Sequence, residues 1–145
     1  MKPRQLDFCS HCGNLSLMRS YVRQCLDPYP FREEEVELMV LGLDEACTNI
    51  IRHAYQNAED QPIRLEMEPV DSGVCFRLID FAHWNTLEDY MCRDLSEVRP
   101  GGLGVHFIRT AFDQISYVQQ SKGTELVLVK YYQMPPQIVG QEPLC

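Results

Sequence analysis

Apolar residues recur along this chain with two periods, and each change of period marks a new element. Leu15, Met18, Val22, Cys25 and Leu26 fall at helical spacing, which predicts a helix from Asn14, its cap, to Leu26. Asp27-Pro28-Tyr29-Pro30 breaks it. A longer helix is predicted from about Arg32 to Tyr55. Val36, Met39, Val40, Leu43, Cys47, Ile50, Ile51 and Ala54 form its core face, and Glu33, Glu34 and Glu35 suit the positive end of its dipole. After a polar loop from Gln56 to Pro62, the period drops to two. Ile63, Leu65 and Met67 alternate with Arg64, Glu66 and Glu68, a half-buried strand reaching Pro69. Asp71-Ser72-Gly73 then turns the chain back into a strand from Val74 to Ile79.

Four further elements complete the pattern: a short first strand at Arg4 to Phe8, a helix from Gly104 to Phe112, and strands at Gln114 to Gln119 and Thr124 to Tyr131. This order predicts an α/β fold, a two-layer sandwich with helices on one face of a mixed, mostly antiparallel sheet. One domain is expected over residues 1–132, followed by a poorly ordered tail, 133–145, that contains Pro135, Pro136 and Pro143. Trp84 to Arg99 has no clear periodicity; it mixes charges with turn formers over a length suited to a mobile cover.

Composition narrows the function classes. The chain has 145 residues, 45% hydrophobic and 23% charged, values typical of a soluble globular domain. Its net charge of −8 argues against sequence-independent binding to nucleic acid, though a basic protein partner remains compatible. No apolar run is long enough for a membrane span and no signal-peptide core opens the chain, so a cytoplasmic protein without membrane contact is expected. Of the seven cysteines, Cys25, Cys47, Cys75 and Cys92 lie in or beside apolar patterns and read as small buried hydrophobes. Cys9-Ser10-His11-Cys12 has the look of half a zinc site, but no second pair of ligands follows, and no thioredoxin-like strand-to-helix setting supports a redox role.

Chemistry concentrates on the long helix. Glu45, Asn49 and His53 stand at i, i+4 and i+8, which predicts one ridge, with Glu45 and Asn49 turned away from the core face. An amide oxygen there can hold a hard cation, and a carboxylate one turn away can orient or deprotonate a hydroxyl. Taken alone, the spacing fits the solvated face of an amphipathic helix at least as well. Farther along, Asp80 ends the apolar run Val74 to Ile79, Gly101-Gly102-Leu103-Gly104 turns into a helix, and Gly123-Thr124 opens the last strand. Each of these also has a plain structural reading: a turn cap, a loop-to-helix junction, a β-favouring residue.

In combination, helix with E-x-x-x-N, strand ending in Asp, glycine turn into helix and Gly-Thr before a final strand, the chain resembles the Bergerat-fold ATP-binding superfamily. Within it, "DEACTNIIRHAY" and "GGLGVHFI" are most similar to the small anti-sigma factor serine kinases, a likeness that covers roughly Phe31 to Tyr131. The resemblance implies ATP and Mg2+. Asn49 would hold the metal and Glu45 act as general base, while Asp80 would accept a hydrogen bond from the adenine amino group. Gly101, Gly102 and Gly104, with Leu103 and Val105 between and beside them, would bring backbone amides to the phosphates. Thr124 would lie near the adenine. Arg52 and His53 either touch phosphate or face solvent, and Arg99 would reach phosphate from the cover.

One position departs from the family pattern. Where a D-x-G is usual, this chain has Asp80-Phe81-Ala82, and an alanine forced to positive φ would cost about 1 kcal/mol and weaken ATP binding. The activity the resemblance implies is phosphorylation of a serine on an anti-sigma factor antagonist, a STAS-type domain, with sequestration of a sigma factor in the other state of the switch. The alternative is a catalytically weak nucleotide-binding module that engages a regulatory protein without efficient phosphoryl transfer. A homodimer is also implied. A full histidine kinase is not expected, because no phospho-acceptor hairpin precedes the domain.

Overall fold

The computed structural model describes residues 2–82 and 103–133, with backbone alone for 103–105. Five strands, β1 (Arg4–Cys9), β2 (Pro62–Val70), β3 (Gly73–Asp80), β4 (Gln114–Gln119) and β5 (Thr124–Tyr131), form one sheet in the order β1-β2-β3-β5-β4. All four pairings are antiparallel, so the sheet expected to be mixed is antiparallel throughout the described residues. Its register aligns Phe76 with Met67 and Leu128, and Leu78 with Leu65 and Leu126. Because directly opposed residues share a face, these buried side chains form a single apolar surface. The other face alternates charge with aliphatic groups: Arg64 pairs with Asp7 at 2.7 Å, and Arg77 bridges Glu68 and Glu125.

Helices α1 (Leu15–Leu26), α2 (Glu33–Asn49) and α3 (Leu103–Ala111) complete the core. At the start of α2, the Glu35 carboxylate accepts the Arg32 backbone N–H at 2.9 Å, satisfying one of the donors a helix start leaves open. Two ion pairs join α1 to α2, Arg19 with Asp44 at 2.6 Å and Arg23 with Glu37 at 2.8 Å. Helices α2 and α3 approach closely at Gly42. A Cβ there would stand 3.1 Å from the Phe112 ring and 3.2 Å from the Ala111 methyl.

The long helix differs from expectation at its end. Predicted as continuous to Tyr55, it stops being α-helical at Asn49 and continues as a π turn, Ile50–Ala54, closed by the Tyr55 N–H donating to the Ile50 carbonyl at 3.0 Å. Gln56 and Asn57, at φ 49° and 65°, then terminate it in the left-handed region. A π turn carries more residues per revolution, so the regular α spacing is interrupted between Asn49 and His53. The other elements match their predicted ranges to within a residue or two. The proposed cover, Trp84 to Arg99, and all of the tail beyond Gln133 lie outside the described residues.

Candidate functional site

Three chain segments carry the residues singled out from the sequence: the end of α2, the end of β3 and the start of β5. On α2, Glu45 and Asn49 are both half-buried one turn apart, and neither side chain bonds another described residue. The neighbouring carboxylate is different. Asp44 is engaged by Arg19, and its carbonyl accepts the Thr48 hydroxyl at 2.9 Å. Arg52 and His53 are exposed on the π turn.

Asp80 is the last residue of β3 and directly opposes Thr124, the first of β5. Both are 2% exposed, and both lie on the face the helices cover. A carboxylate and a hydroxyl thus end an otherwise apolar surface, side by side with Ile63 of β2. The Ala82 N–H donates to Asp80 Oδ1 at 3.2 Å, which fixes one carboxylate oxygen against the chain just beyond the strand. Gly123 closes the other side. At φ 89°, with Asp80 O only 1.8 Å from where a Cβ would be, no other residue fits there without moving β5 away from Asp80.

Ala82 resolves the departure noted in the sequence. Among the described residues only Gln56, Asn57 and Ser72 combine a side chain with positive φ. Ala82 avoids the left-handed region, and its methyl is buried in the core. The penalty foreseen for alanine at this position does not arise.

Sequence reasoning gave Tyr55 no function. Its hydroxyl donates to the Pro62 carbonyl at 2.5 Å and accepts the Phe81 N–H at 2.8 Å, so the end of the π turn is tied to the start of β2 and the end of β3. No local signal announces this, since the partners lie 7 and 26 residues away. Ser10 makes a parallel tie: its hydroxyl donates to the Ala58 carbonyl and accepts the Gln61 N–H at 3.1 Å. Arg99, Gly101 and Gly102 lie outside the described residues, while Leu103, Gly104 and Val105 form the first turn of α3.

A helix with a half-buried carboxylate and amide, packed over an antiparallel sheet whose strand ends hold a buried Asp–Thr pair, makes this chain a two-layer α/β sandwich. The histidine kinase-like ATPase domain family matches this chain over residues 8–130, and the chain belongs to that family. Named relatives include the serine-protein kinase RsbW of Bacillus cereus strain B4264, 29% identical over 116 residues, covering 71% of this chain and 68% of the relative. The protein of the same name from Bacillus anthracis strain CDC 684 is 29% identical over 113 residues with the same coverage. Among solved structures, the RsbU and RsbW domains of Rv1364c from Mycobacterium tuberculosis superpose with a TM-score of 0.67 at 14% identity. That match covers 93% of this chain and 34% of the solved one, and it speaks for the fold. The resemblance drawn from the E-x-x-x-N helix, Asp80, the glycine turn and Gly123-Thr124 to the anti-sigma factor kinases is borne out at the level of the family.

Proposed function

We propose that this protein is an ATP-dependent serine/threonine kinase of the anti-sigma factor type. The observation that carries the reading is the Glu45–Asn49 pair: one turn apart, half-buried, and uncommitted to any other described residue, while the adjacent Asp44 is engaged by Arg19. In this reading Glu45 accepts the proton of the attacking serine hydroxyl. Asp80, oriented through Oδ1, accepts from the adenine amino group, and Thr124 lines the same end of the sheet. The first turn of α3, with Leu103, Gly104 and Val105, offers backbone N–H groups to phosphate, joined by Gly101 and Gly102. Arg52, His53 and Arg99 supply positive charge around the phosphates.

The donor set suits Mg2+. The amide oxygen of Asn49, a hard donor, would hold the ion together with nucleotide oxygens and water. When bound, Mg2+ neutralises phosphate charge. The partners of such a kinase are a STAS-type antagonist bearing the acceptor serine and a sigma factor that it sequesters, in a cytoplasmic switch, with a homodimer as the working unit. The weak-binding alternative was motivated by Ala82; the backbone there stays out of the left-handed region, so strain lends it no support.

Calorimetric titration of ATP with magnesium, followed by phosphate transfer from radiolabelled ATP to the antagonist domain, tests the proposal. Asn49→Ala should lose saturable ATP binding. Glu45→Ala should keep binding and lose transfer by about 10²–10⁴-fold. Transfer undiminished in Glu45→Ala would refute the assignment of the base, and a wild-type protein that fails to bind ATP would refute the reading as a whole.

A further inference from the structure

Several contacts hold the chain at Asp80, and one of them comes from Tyr55, just beyond the π turn that continues the Asn49 helix. The peptide unit joining Asp80 to Phe81 is gripped on both sides. Its N–H donates to the Tyr55 hydroxyl at 2.8 Å, and its carbonyl oxygen lies against Gly123, 1.8 Å from where a Cβ would stand. The next N–H, of Ala82, holds the Asp80 carboxylate at 3.2 Å. Rotation that displaced Phe81 would carry the Ala82 N–H with it and release the carboxylate.

Tyr55 is well placed to prevent that rotation. The residue is 8% exposed and part of the hydrophobic core, and its hydroxyl uses its one proton on Pro62 O, leaving its lone pairs to accept from Phe81. It follows the π turn, six residues beyond Asn49, so the segment that ends the catalytic helix also sets the strand end. Phenylalanine would fill the same space and make neither bond.

We infer that Tyr55 is a positioning residue for base selection: its hydroxyl fixes the 80–81 peptide and thereby aims the Asp80 carboxylate at the exocyclic amino group of the nucleobase. The inference rests on the proposed reading of Asp80 as the adenine contact. It assigns to Tyr55 a share of nucleotide specificity, beyond its share of stability.

Inosine triphosphate, which lacks the exocyclic amino group, separates these roles. ATP and inosine triphosphate are titrated into wild type and Tyr55→Phe by calorimetry, with a thermal melt of each. Wild type should prefer ATP. Tyr55→Phe should bind ATP about tenfold more weakly, the size of the one hydrogen bond between the base and Asp80, with binding of inosine triphosphate not weakened alongside it. A preference ratio unchanged in Tyr55→Phe would overturn the inference, whatever happens to the melting temperature, because a purely structural residue moves both nucleotides together. Wild type that binds ATP without preferring it would refute the role of Asp80, and wild type that binds neither would refute the kinase reading itself. Hydrogen exchange on the wild type needs no variant: a protected Phe81 amide in the absence of nucleotide is expected, and a freely exchanging one would also overturn the proposal.

Discussion

At position 82 a methyl group stands where the resembling kinases usually carry a hydrogen atom. Its backbone stays out of the left-handed region and its side chain is buried, so alanine contributes packing here and incurs no strain. Ala82→Gly should consequently leave ATP affinity unimproved while lowering stability by about 1 kcal/mol, from lost burial and greater unfolded-chain entropy. Urea denaturation beside calorimetry checks both; a variant that binds ATP more tightly would contradict the account. Gly123 is the opposite case, a glycine demanded by φ 89° and by the Asp80 carbonyl. Sequence alone flagged both positions as parts of a pattern. Which of them depends on backbone freedom could not be read there, because φ is set by where the two strands meet.

Among the elements, α2 carries the candidate Glu45–Asn49 pair and is shaped at both ends. Its start was legible from Glu33, Glu34 and Glu35, and its core face from the apolar spacing. Its end was not, since Ile50, Ile51 and Ala54 satisfy α and π periods about equally over so short a stretch. The contact with α3 depends on Gly42, where added side-chain atoms meet Ala111 and Phe112. Gly42→Val should force the two helices apart, destabilising the protein by about 1–3 kcal/mol and weakening nucleotide binding, because α3 opens with the Leu103–Val105 turn. Urea midpoints and ATP titration measure the two effects. A Gly42→Val protein as stable as wild type would show that the helix pair can yield without cost.

The whole molecule should have a stability plateau bounded on both sides by ionisation. Burial pushes the thiols of Cys25, Cys47 and Cys75 up, Cys47 farthest, and it raises the Tyr21 and Tyr29 phenols as well. Raised acids bind their protons more tightly when folded. Stability is thus full below the ordinary thiol value, about 8.5, and falls as pH rises above it, by up to about 1.4 kcal/mol per pH unit for each such thiol. The phenols join only above their own ordinary value of about 10. Hydrogen bonds from Arg64 and Arg23 lower the Asp7 and Glu37 carboxyls, whose contribution is present at neutral pH and lost as pH falls below the ordinary carboxylate range. Exposure keeps that acid-side loss small. Urea unfolding across pH should show the steeper decline on the alkaline side, and Cys47→Ala should flatten it; an alkaline slope unaltered in Cys47→Ala would argue against the buried thiol as a source.

Sequence by itself determined the elements, their order and the family, because the need to bury one face repeats with the period of each element and because the motif residues sit at fixed points along the chain. It also put Glu45 and Asn49 on one ridge, a local matter of helical spacing. Only the tertiary structure decided the rest. Sheet order brings Asp80 opposite Thr124, Gly123 seals that pair, and Tyr55 reaches across 26 residues to hold it. These contacts join segments distant in the chain. They follow from how the elements pack together, and no local periodicity encodes them.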